Sequence, residues 1–407
     1  MTQFYQTTLG HSKGPFTIQE TAPSLTTYPF KVEENMIKVR SGSDVVIPNI
    51  WLRDNCQCSS CMHKATKQRL LDTFQIPRDI TIRSSEIDPE GVRVKWSDGH
   101  ESHYTADFLS SSHMSYLQRA KVRQDLVNIK LWDESIAQRP PIVSYDNFHD
   151  KDGVKDVLDK IRTFGFCYID QLPVSPEATE KALERIAFIR PTHYGGFYDF
   201  TADLASKDTA YTNIYLEAHT DTTYFSDPAG LQAFHLLEHS GGEGGTSLLV
   251  DGFKVAKDLN HLDREAYHIL STVNVHSHAS GNEGISIQPY RGFPVFQHDP
   301  ETGILLQIRW NSSDRAGVAL PVDQVEEWYD AARKWNDLLK KNENEYWCQL
   351  TPGRLVVFDN WRVLHGRSAF TGKRRICGGY INRDDWISKH KMLHFGQDAV
   401  MKHLPTG

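Results

Sequence analysis

The segment LEAHTDTTYF sets His219 two residues before Asp221. On an extended chain, residues i and i+2 point to the same face, so imidazole and carboxylate can meet one metal ion. A third ligand is offered by NWRVLHGR, where His365 stands at the end of the strand-like run RLVVFD. Two histidines and one carboxylate on one face of Fe(II) leave three coordination positions for a co-substrate and oxygen. With 19 histidines in the chain, a His-x-Asp pair says little by itself. Its neighbours give it weight.

A 2-oxo dicarboxylic acid such as 2-oxoglutarate needs a cation for its far carboxylate, and arginine supplies a planar two-donor fork. RRICGGYIN, downstream of His365, offers Arg374, with Arg375 on the opposite face of the same run. GGEGGTSLLVDG adds a hydroxyl for the same carboxylate, Ser247 or Thr246. The order His-x-Asp, a strand-rich segment, His, then Arg is the order one pocket in a folded sheet sandwich requires.

A second constellation lies near the N-terminus. WLRDNCQCSSCMH places Cys56, Cys58 and Cys61 in a C-x-C-x-x-C turn. Three thiolates so close can hold Zn²⁺ tetrahedrally with one more ligand, and a closed Cys3His site is structural, not catalytic. His100 in KWSDGH is the candidate, with His103 and His63 as alternatives. Tyr194, Tyr198 and Tyr211 lie upstream of the iron pair and Tyr380 just beyond Arg374. Aromatic faces suit a quaternary ammonium, which has no hydrogen to donate and is held by cation–π attraction.

These residues need elements to position them. From about residue 30 to 105 the chain reads as short strands: MIKVRSG, VVIPNIWLRD and GVRVKWSDGHESHY, with the cysteines on a loop between them. Residues 106–132 read as helical, and Pro140 and Pro141 mark a linker. Beyond it come a helix ending near Thr163, the strand GFCYIDQL, and a helix opened by Ser175 as N-cap with Pro176 as its first residue. LQAFHLL, TSLLVD, ILLQIRW, RLVVFD and ICGGYIN then read as strands, interrupted by one amphipathic helix with Val325, Trp328, Tyr329, Ala332 and Leu339 on a face. The pattern predicts a mostly β fold with flanking helices. A double-stranded β-helix, or jelly roll, at 142–395 would follow a loose leader at 1–25 and a small β-rich zinc-binding domain at 26–135.

Composition narrows the classes. The 407 residues are 39% hydrophobic and 24% charged, an ordinary globular balance. A formal charge of −7 disfavours non-specific nucleic-acid binding. No stretch approaches the ~20 apolar residues of a membrane helix. Three clustered and three scattered cysteines suit a metal site in a reducing compartment. The N-terminus lacks a secretory pattern and, without an arginine before Arg40, makes a poor mitochondrial leader. Cytosol is the expectation, mitochondrion the alternative.

HTDTTYFSDPAGLQAFHLLEHSGGEGGTSLLVDGF and TPGRLVVFDNWRVLHGRSAFTGKRRICGGYINRDD resemble the trimethyllysine dioxygenase and γ-butyrobetaine hydroxylase family of carnitine biosynthesis. The resemblance runs from about residue 45 to 390. It implies the jelly roll, Fe(II), 2-oxoglutarate as co-substrate, dependence on ascorbate in assay, a structural zinc closed by His100, and homodimers. The implied reaction is hydroxylation of N6-trimethyllysine at C3 with O2, γ-butyrobetaine hydroxylation being the alternative. The resemblance also implies that Tyr194, Tyr198, Tyr211 and Tyr380 converge as an aromatic cage, with Tyr198 standing where relatives usually have Trp. Asp208 aligns where butyrobetaine enzymes resemble one another in having Asn, and a carboxylate there suits the α-ammonium of trimethyllysine. Asn311 is the donor expected for the substrate carboxylate. A zinc module that reads methylated lysine without catalysis is the rival from another class.

Overall fold

The computed structural model describes residues 30–33, 35–41, 43–112, 129–201, 212–300 and 302–403. They group into two compact units, one of residues up to 112 together with 397–403 and one of residues 129–396.

In the first unit, β1 (Phe30–Glu33), β2 (Met36–Ser41) and β3 (Ser43–Ile47) form an antiparallel sheet. VVIPNIWLRD is not one strand: β3 ends at Ile47, and α1 (Asn49–Asp54) begins directly after Pro48. Proline has no N–H for a sheet ladder but fits the start of a helix. β4 (Ile82–Asp88), β5 (Gly91–Trp96) and β6 (Glu101–Thr105) make a second antiparallel sheet, followed by α2 (Ala106–Ser112). Val92, Val94 and Trp96 of β5 alternate into a core with Ile37, Leu52 and Tyr104. The helix expected over 106–132 is present at its start, and its middle lies outside the described residues. Residues 129–132 are not helical. Trp132 instead belongs to the second unit: its ring packs with Phe166 and Tyr346, and its backbone N–H donates to Asp251 Oδ2 at 3.1 Å.

The second unit is built on two sheets. One has six strands in the order β7 (Ile142–Ser144), β8 (Phe166–Asp170), β16 (Arg354–Asp359), β11 (Leu231–Ser240), β18 (Lys373–Ile381) and β9 (Tyr198–Thr201). All of its pairs are antiparallel except β7 with β8. The other has four, β10 (Leu216–His219), β17 (Val363–Arg367), β12 (Ser247–Asp251) and β15 (Tyr346–Cys348), all antiparallel. β13 (Phe296–His298) and β14 (Leu305–Ile308) form a separate hairpin pair.

Strand periodicity sorts the side chains between layers. On β16, Val356 and Phe358 face the inter-sheet core with Leu236, Leu249 and Ile376, whereas Leu355 and Val357 meet helices. Those helices are α3 (Lys151–Phe164) and α4 (Pro176–Ile186), which bury Val157, Leu158, Ile161, Leu183 and Ile186. Asp150 caps α3 at one end, and Gly165, at φ 81°, ends it in the left-handed region. Ser175 caps α4 as the sequence predicts, its Oγ accepting from the Ala178 N–H at 3.1 Å. Such a cap contributes about 1 kcal/mol.

The smaller sheet is covered by α5 (Gly252–Leu262), α6 (Arg264–Thr272) and α7 (Val322–Leu339), which share a core with Leu248, Val250 and Leu364. The buried face of α7 is Trp328, Ala331, Ala332, Trp335, Leu338 and Leu339. Tyr329, expected on it, is exposed, its ring beside the Arg315 guanidinium. Tyr329 lies about 100° round the helix from Trp328, outside the arc that the buried residues cover. α8 (Arg383–His403) follows β18 and is interrupted at Gly396, whose φ is 77°. Among the described residues, no helix is long and apolar enough to cross a membrane.

Candidate active site

His219 ends β10 and His365 lies in the middle of β17, where the two are direct cross-strand partners. The sequence suggests that His365 ends the run RLVVFD. That run is β16, in the opposite sheet, and the chain crosses between sheets at Asn360–Arg362 before β17 begins. The register brings the imidazole rings to 4.3 Å between centroids. His219 Nε2 lies 3.2 Å and His365 Nε2 4.0 Å from the same oxygen, Asp221 Oδ1. All three ligand atoms fall within 4.8 Å of one another.

The surroundings leave those atoms aimed at a common point. His219 Nδ1 faces the Glu217 carbonyl at 2.7 Å, which favours the proton there and a lone pair on Nε2. Asp221 Oδ2 accepts from Gln232 Nε2 at 2.6 Å and from Tyr380 Oη at 2.7 Å, so Oδ1 remains for an ion. The backbone of Asp221 is clamped by Asn360, which accepts from its N–H and donates to its carbonyl. Burial, reinforced by the neighbouring His219, lowers His365 to about 3, keeping it neutral. Although burial opposes ionisation of Asp221, its polar contacts with His219, His365 and the Tyr380 hydroxyl hold it below the usual carboxylate range. Two neutral-capable imidazoles and an ionised carboxylate are a fitting donor set for a divalent iron.

The two sheets enclose a cleft around this triad, about 1090 Å³ counted to its open mouth. Arg374 and Ile376 reach into it from β18, Ser247 from β12, and Arg367 from β17. Arg374 is buried and its Nε has no hydrogen-bond partner. Burial, then the nearby charge of Arg367, lowers it to about 9. Arg375, one residue on, points the other way and pairs with Asp199 at the surface. Ser247 lines the cleft, whereas Thr246 donates to Gln349 at 3.1 Å.

Three of the four expected cage tyrosines line the same cleft: Tyr194, Tyr198 and Tyr380. The rings of Tyr198 and Tyr380 are 5.8 Å apart, and the Tyr198 hydroxyl is spent on the Ala233 carbonyl at 2.7 Å. Tyr211 and Asp208 lie outside the described residues. Asn311 lines the cleft and donates to Asp314 Oδ2 at 2.8 Å, with Asp314 lining it too. Sequence reasoning missed Asp314, Gln232, Asn360 and Arg367. Only Asn360 and Arg367 had a local signal, as flanks of His365 in DNWRVLHGR.

In the first unit, Cys56, Cys58 and Cys61 surround His100 Nε2 at 3.3, 3.6 and 3.5 Å. The cysteines lie just after α1 and His100 in the turn between β5 and β6. His63 turns to Thr66 and His103 to Asp88, so neither joins the sulfur atoms. Burial and the adjacent thiols push Cys61 up to about 12, whereas hydrogen bonds lower Cys58 despite its burial, and a cation among the sulfur atoms would favour the thiolate forms. Arg53 stands behind, donating to Cys61 Sγ at 3.4 Å and to Asp98 at 2.8 Å.

Comparison with known proteins agrees with this geometry. Residues 132–380 match the taurine catabolism dioxygenase TauD, TfdA family, and residues 32–110 match the N-terminal region of gamma-butyrobetaine hydroxylase-like proteins. A trimethyllysine dioxygenase of Neurospora crassa is 48% identical over 90% of this chain and 84% of its own length. One from Meyerozyma guilliermondii is 40% identical over 88% and 93%. A Homo sapiens relative, named trimethyllysine dioxygenase, mitochondrial, is 38% identical over 84% and 82%. Nothing in these likenesses supports the cytosolic expectation; the mammalian names speak for the alternative. The chain belongs to the TauD, TfdA dioxygenase family, in its trimethyllysine dioxygenase group.

Proposed function

We propose that this chain hydroxylates N6-trimethyllysine at C3, with Fe(II) held by His219, Asp221 and His365 and with 2-oxoglutarate as co-substrate. The observation that carries the reading is the convergence of His219, His365 and Asp221 Oδ1 in one cleft with a buried Arg374 whose Nε has no hydrogen-bond partner. Bound Fe(II), together with 2-oxoglutarate, supplies the activation of O2 for insertion into a C–H bond.

The chain supplies position. Arg374, with Ser247, receives the far carboxylate of 2-oxoglutarate in the bidentate geometry that arginine favours. Gln232 and Tyr380 fix the carboxylate of Asp221 by holding its second oxygen. Tyr194, Tyr198, Tyr211 and Tyr380 receive the trimethylammonium head through their ring faces. Asp208 and Asn311 are assigned to the α-ammonium and α-carboxylate. Asp314 adds a second carboxylate at that end, bonded to Asn311. The apolar cleft walls, Phe234, Val356 and Phe358, exclude water from the reacting carbon.

Zn²⁺ at Cys56, Cys58, Cys61 and His100 is proposed as a structural ion of the first unit, whose main segment ends before residue 129 and not at 135 as the sequence suggests. Ascorbate dependence and a homodimer are carried by the family resemblance, and a mitochondrial location by the names of mammalian relatives. The test is succinate formation with Fe(II), ascorbate and 2-oxoglutarate, with trimethyllysine and γ-butyrobetaine run in parallel. Preferential turnover of trimethyllysine is expected. Preference for γ-butyrobetaine would overturn the substrate assignment, and coupling to neither would favour a methyl-lysine-binding module.

A further inference from the structure

A third group of metal-ligating side chains lies apart from both sites, within the second unit. His390 and His394 sit four residues apart on α8, which places both on one helix face. Asp159 of α3 faces them. His390 Nε2 is 3.0 Å and His394 Nδ1 3.2 Å from the same oxygen, Asp159 Oδ1. The rings lie roughly parallel, 23° between planes, with centroids 5.4 Å apart.

That arrangement repeats the pattern at the catalytic triad, where two imidazole nitrogens also converge on a single carboxylate oxygen. In both groups the three ligand atoms fall within 4.8 Å of one another. An ordinary helix–helix ion pair needs one imidazole, and a second aimed at the same oxygen adds little unless a cation lies between them. A histidine pair at i, i+4 on one helix face is a recurrent zinc chelate. Asp159 Oδ2 is engaged by Lys155 Nζ at 3.0 Å, and Oδ1 is left to the imidazoles. His390 is buried, while His394 and Asp159 are about 30% exposed, so an ion and its water ligands can enter from solvent.

We propose that Asp159, His390 and His394 form a surface site for a borderline divalent cation of the Zn²⁺ class, which ties α8 to α3. Two imidazoles and one carboxylate favour Zn²⁺, Co²⁺ or Ni²⁺ over Mg²⁺ or Ca²⁺, which prefer all-oxygen shells. The Lys155 ammonium competes for the same carboxylate and weakens the site.

The test is equilibrium dialysis of the full chain, with its other metal positions filled, against buffered free Zn²⁺, bound zinc being counted by elemental analysis. Wild type is expected to hold one equivalent more than His394→Asn, a change at a partly exposed position that leaves the fold intact. Lys155→Met is expected to lower the half-saturating Zn²⁺ concentration several-fold, because the competing ammonium is gone. Exchange at the other positions is common to all three chains and cancels. Equal zinc counts in wild type and His394→Asn would overturn the site and leave an ion-pair cluster. So would a half-saturation point unmoved by Lys155→Met.

Discussion

Tyr380 Oη lies 2.7 Å from Asp221 Oδ2, so a residue expected only as a wall of the ammonium cage also holds the carboxylate proposed to bind iron. The two roles separate by mutation. Tyr380→Phe keeps the ring face but removes the donor, leaving Gln232 alone on that oxygen. Partners of this kind are worth roughly 10–100-fold in metal affinity or activity. We expect Tyr380→Phe to weaken Fe(II) binding by about that factor while the KM for trimethyllysine changes little. A variant with unchanged iron affinity and a raised substrate KM would make Tyr380 a cage residue only.

Arg374 and Arg375 offer a paired control. Arg374→Met leaves the far carboxylate of 2-oxoglutarate without its buried partner, a loss of about 2–5 kcal/mol or at least thirtyfold in KM for the co-substrate. Arg374→Lys should fall between, since the charge remains and the fork does not. Arg375→Met removes only a surface pair with Asp199, worth about 0–1 kcal/mol, and should leave turnover within twofold. Equal damage from the two methionine variants would contradict the assignment.

The contrast between these arginines shows where sequence reading reaches its limit. Strand alternation states that Arg374 and Arg375 face opposite ways, but not which way is inward. That is fixed by the pairing of β18 with β11 and β9. The His-x-Asp pair and the C-x-C-x-x-C turn were legible because their geometry is local. His365 was found by type, yet its strand was misassigned, because the crossing between sheets at Asn360–Arg362 leaves no periodic mark. Gln232 and Asp314 were invisible: a buried glutamine in LQAFHLL and an acid in NSSDR gain meaning only from partners distant in the sequence or from the cleft they line. Pro48 stands inside a run read as one strand and in fact separates β3 from α1, and the packing of Trp132 against Phe166 puts residues 129–132, ahead of the Pro140 linker, in the second unit.

Asp314 makes the substrate assignment testable at its polar end. Trimethyllysine carries an α-ammonium there, and γ-butyrobetaine carries only a carboxylate. Asp314→Asn keeps a polar partner for Asn311 and removes the negative charge. We expect kcat/KM for trimethyllysine to fall about tenfold or more, from the loss of about 1.5–3 kcal/mol in a charge-assisted contact. Turnover of γ-butyrobetaine should hold or rise. Parallel losses on both substrates would mean that Asp314 serves only to place Asn311.

The cysteine cluster predicts a metal-dependent fold for the first unit. Its core is small, and zinc binding free energy in such sites is largely folding free energy. His100→Ala or Cys58→Ser should abolish the stoichiometric zinc and lower the melting transition of that unit by several degrees or more. A strong chelator should do the same to the wild type. Arg53, which donates to Cys61, should matter less, and Arg53→Lys should retain the zinc. Protein purified without zinc, and melting identically with and without chelator, would remove the site.

His235 supplies a pH dependence that does not pass through the metal positions. It is fully buried on β11, with Nδ1 2.7 Å from Thr179 Oγ1 and Nε2 accepting from the Gly353 N–H at 3.1 Å. Both ring nitrogens are thus satisfied in the neutral tautomer, and a proton on Nε2 would face the Gly353 donor. Burial accordingly lowers His235 to about 4 from its usual 6.5. The unfolded chain therefore binds the proton first as pH falls. The stability that the neutral form contributes is complete above pH 6.5 and drains away between 6.5 and about 4. The full shift corresponds to about 3 kcal/mol. Denaturant unfolding at pH 7 and pH 5 should show this loss in wild type. In His235→Gln, which keeps one amide contact and cannot titrate, the difference between the two pH values should shrink by about 2 kcal/mol, the part of the shift lost by pH 5. An unaltered pH slope would mean that His235 retains an ordinary imidazole pKa despite its burial.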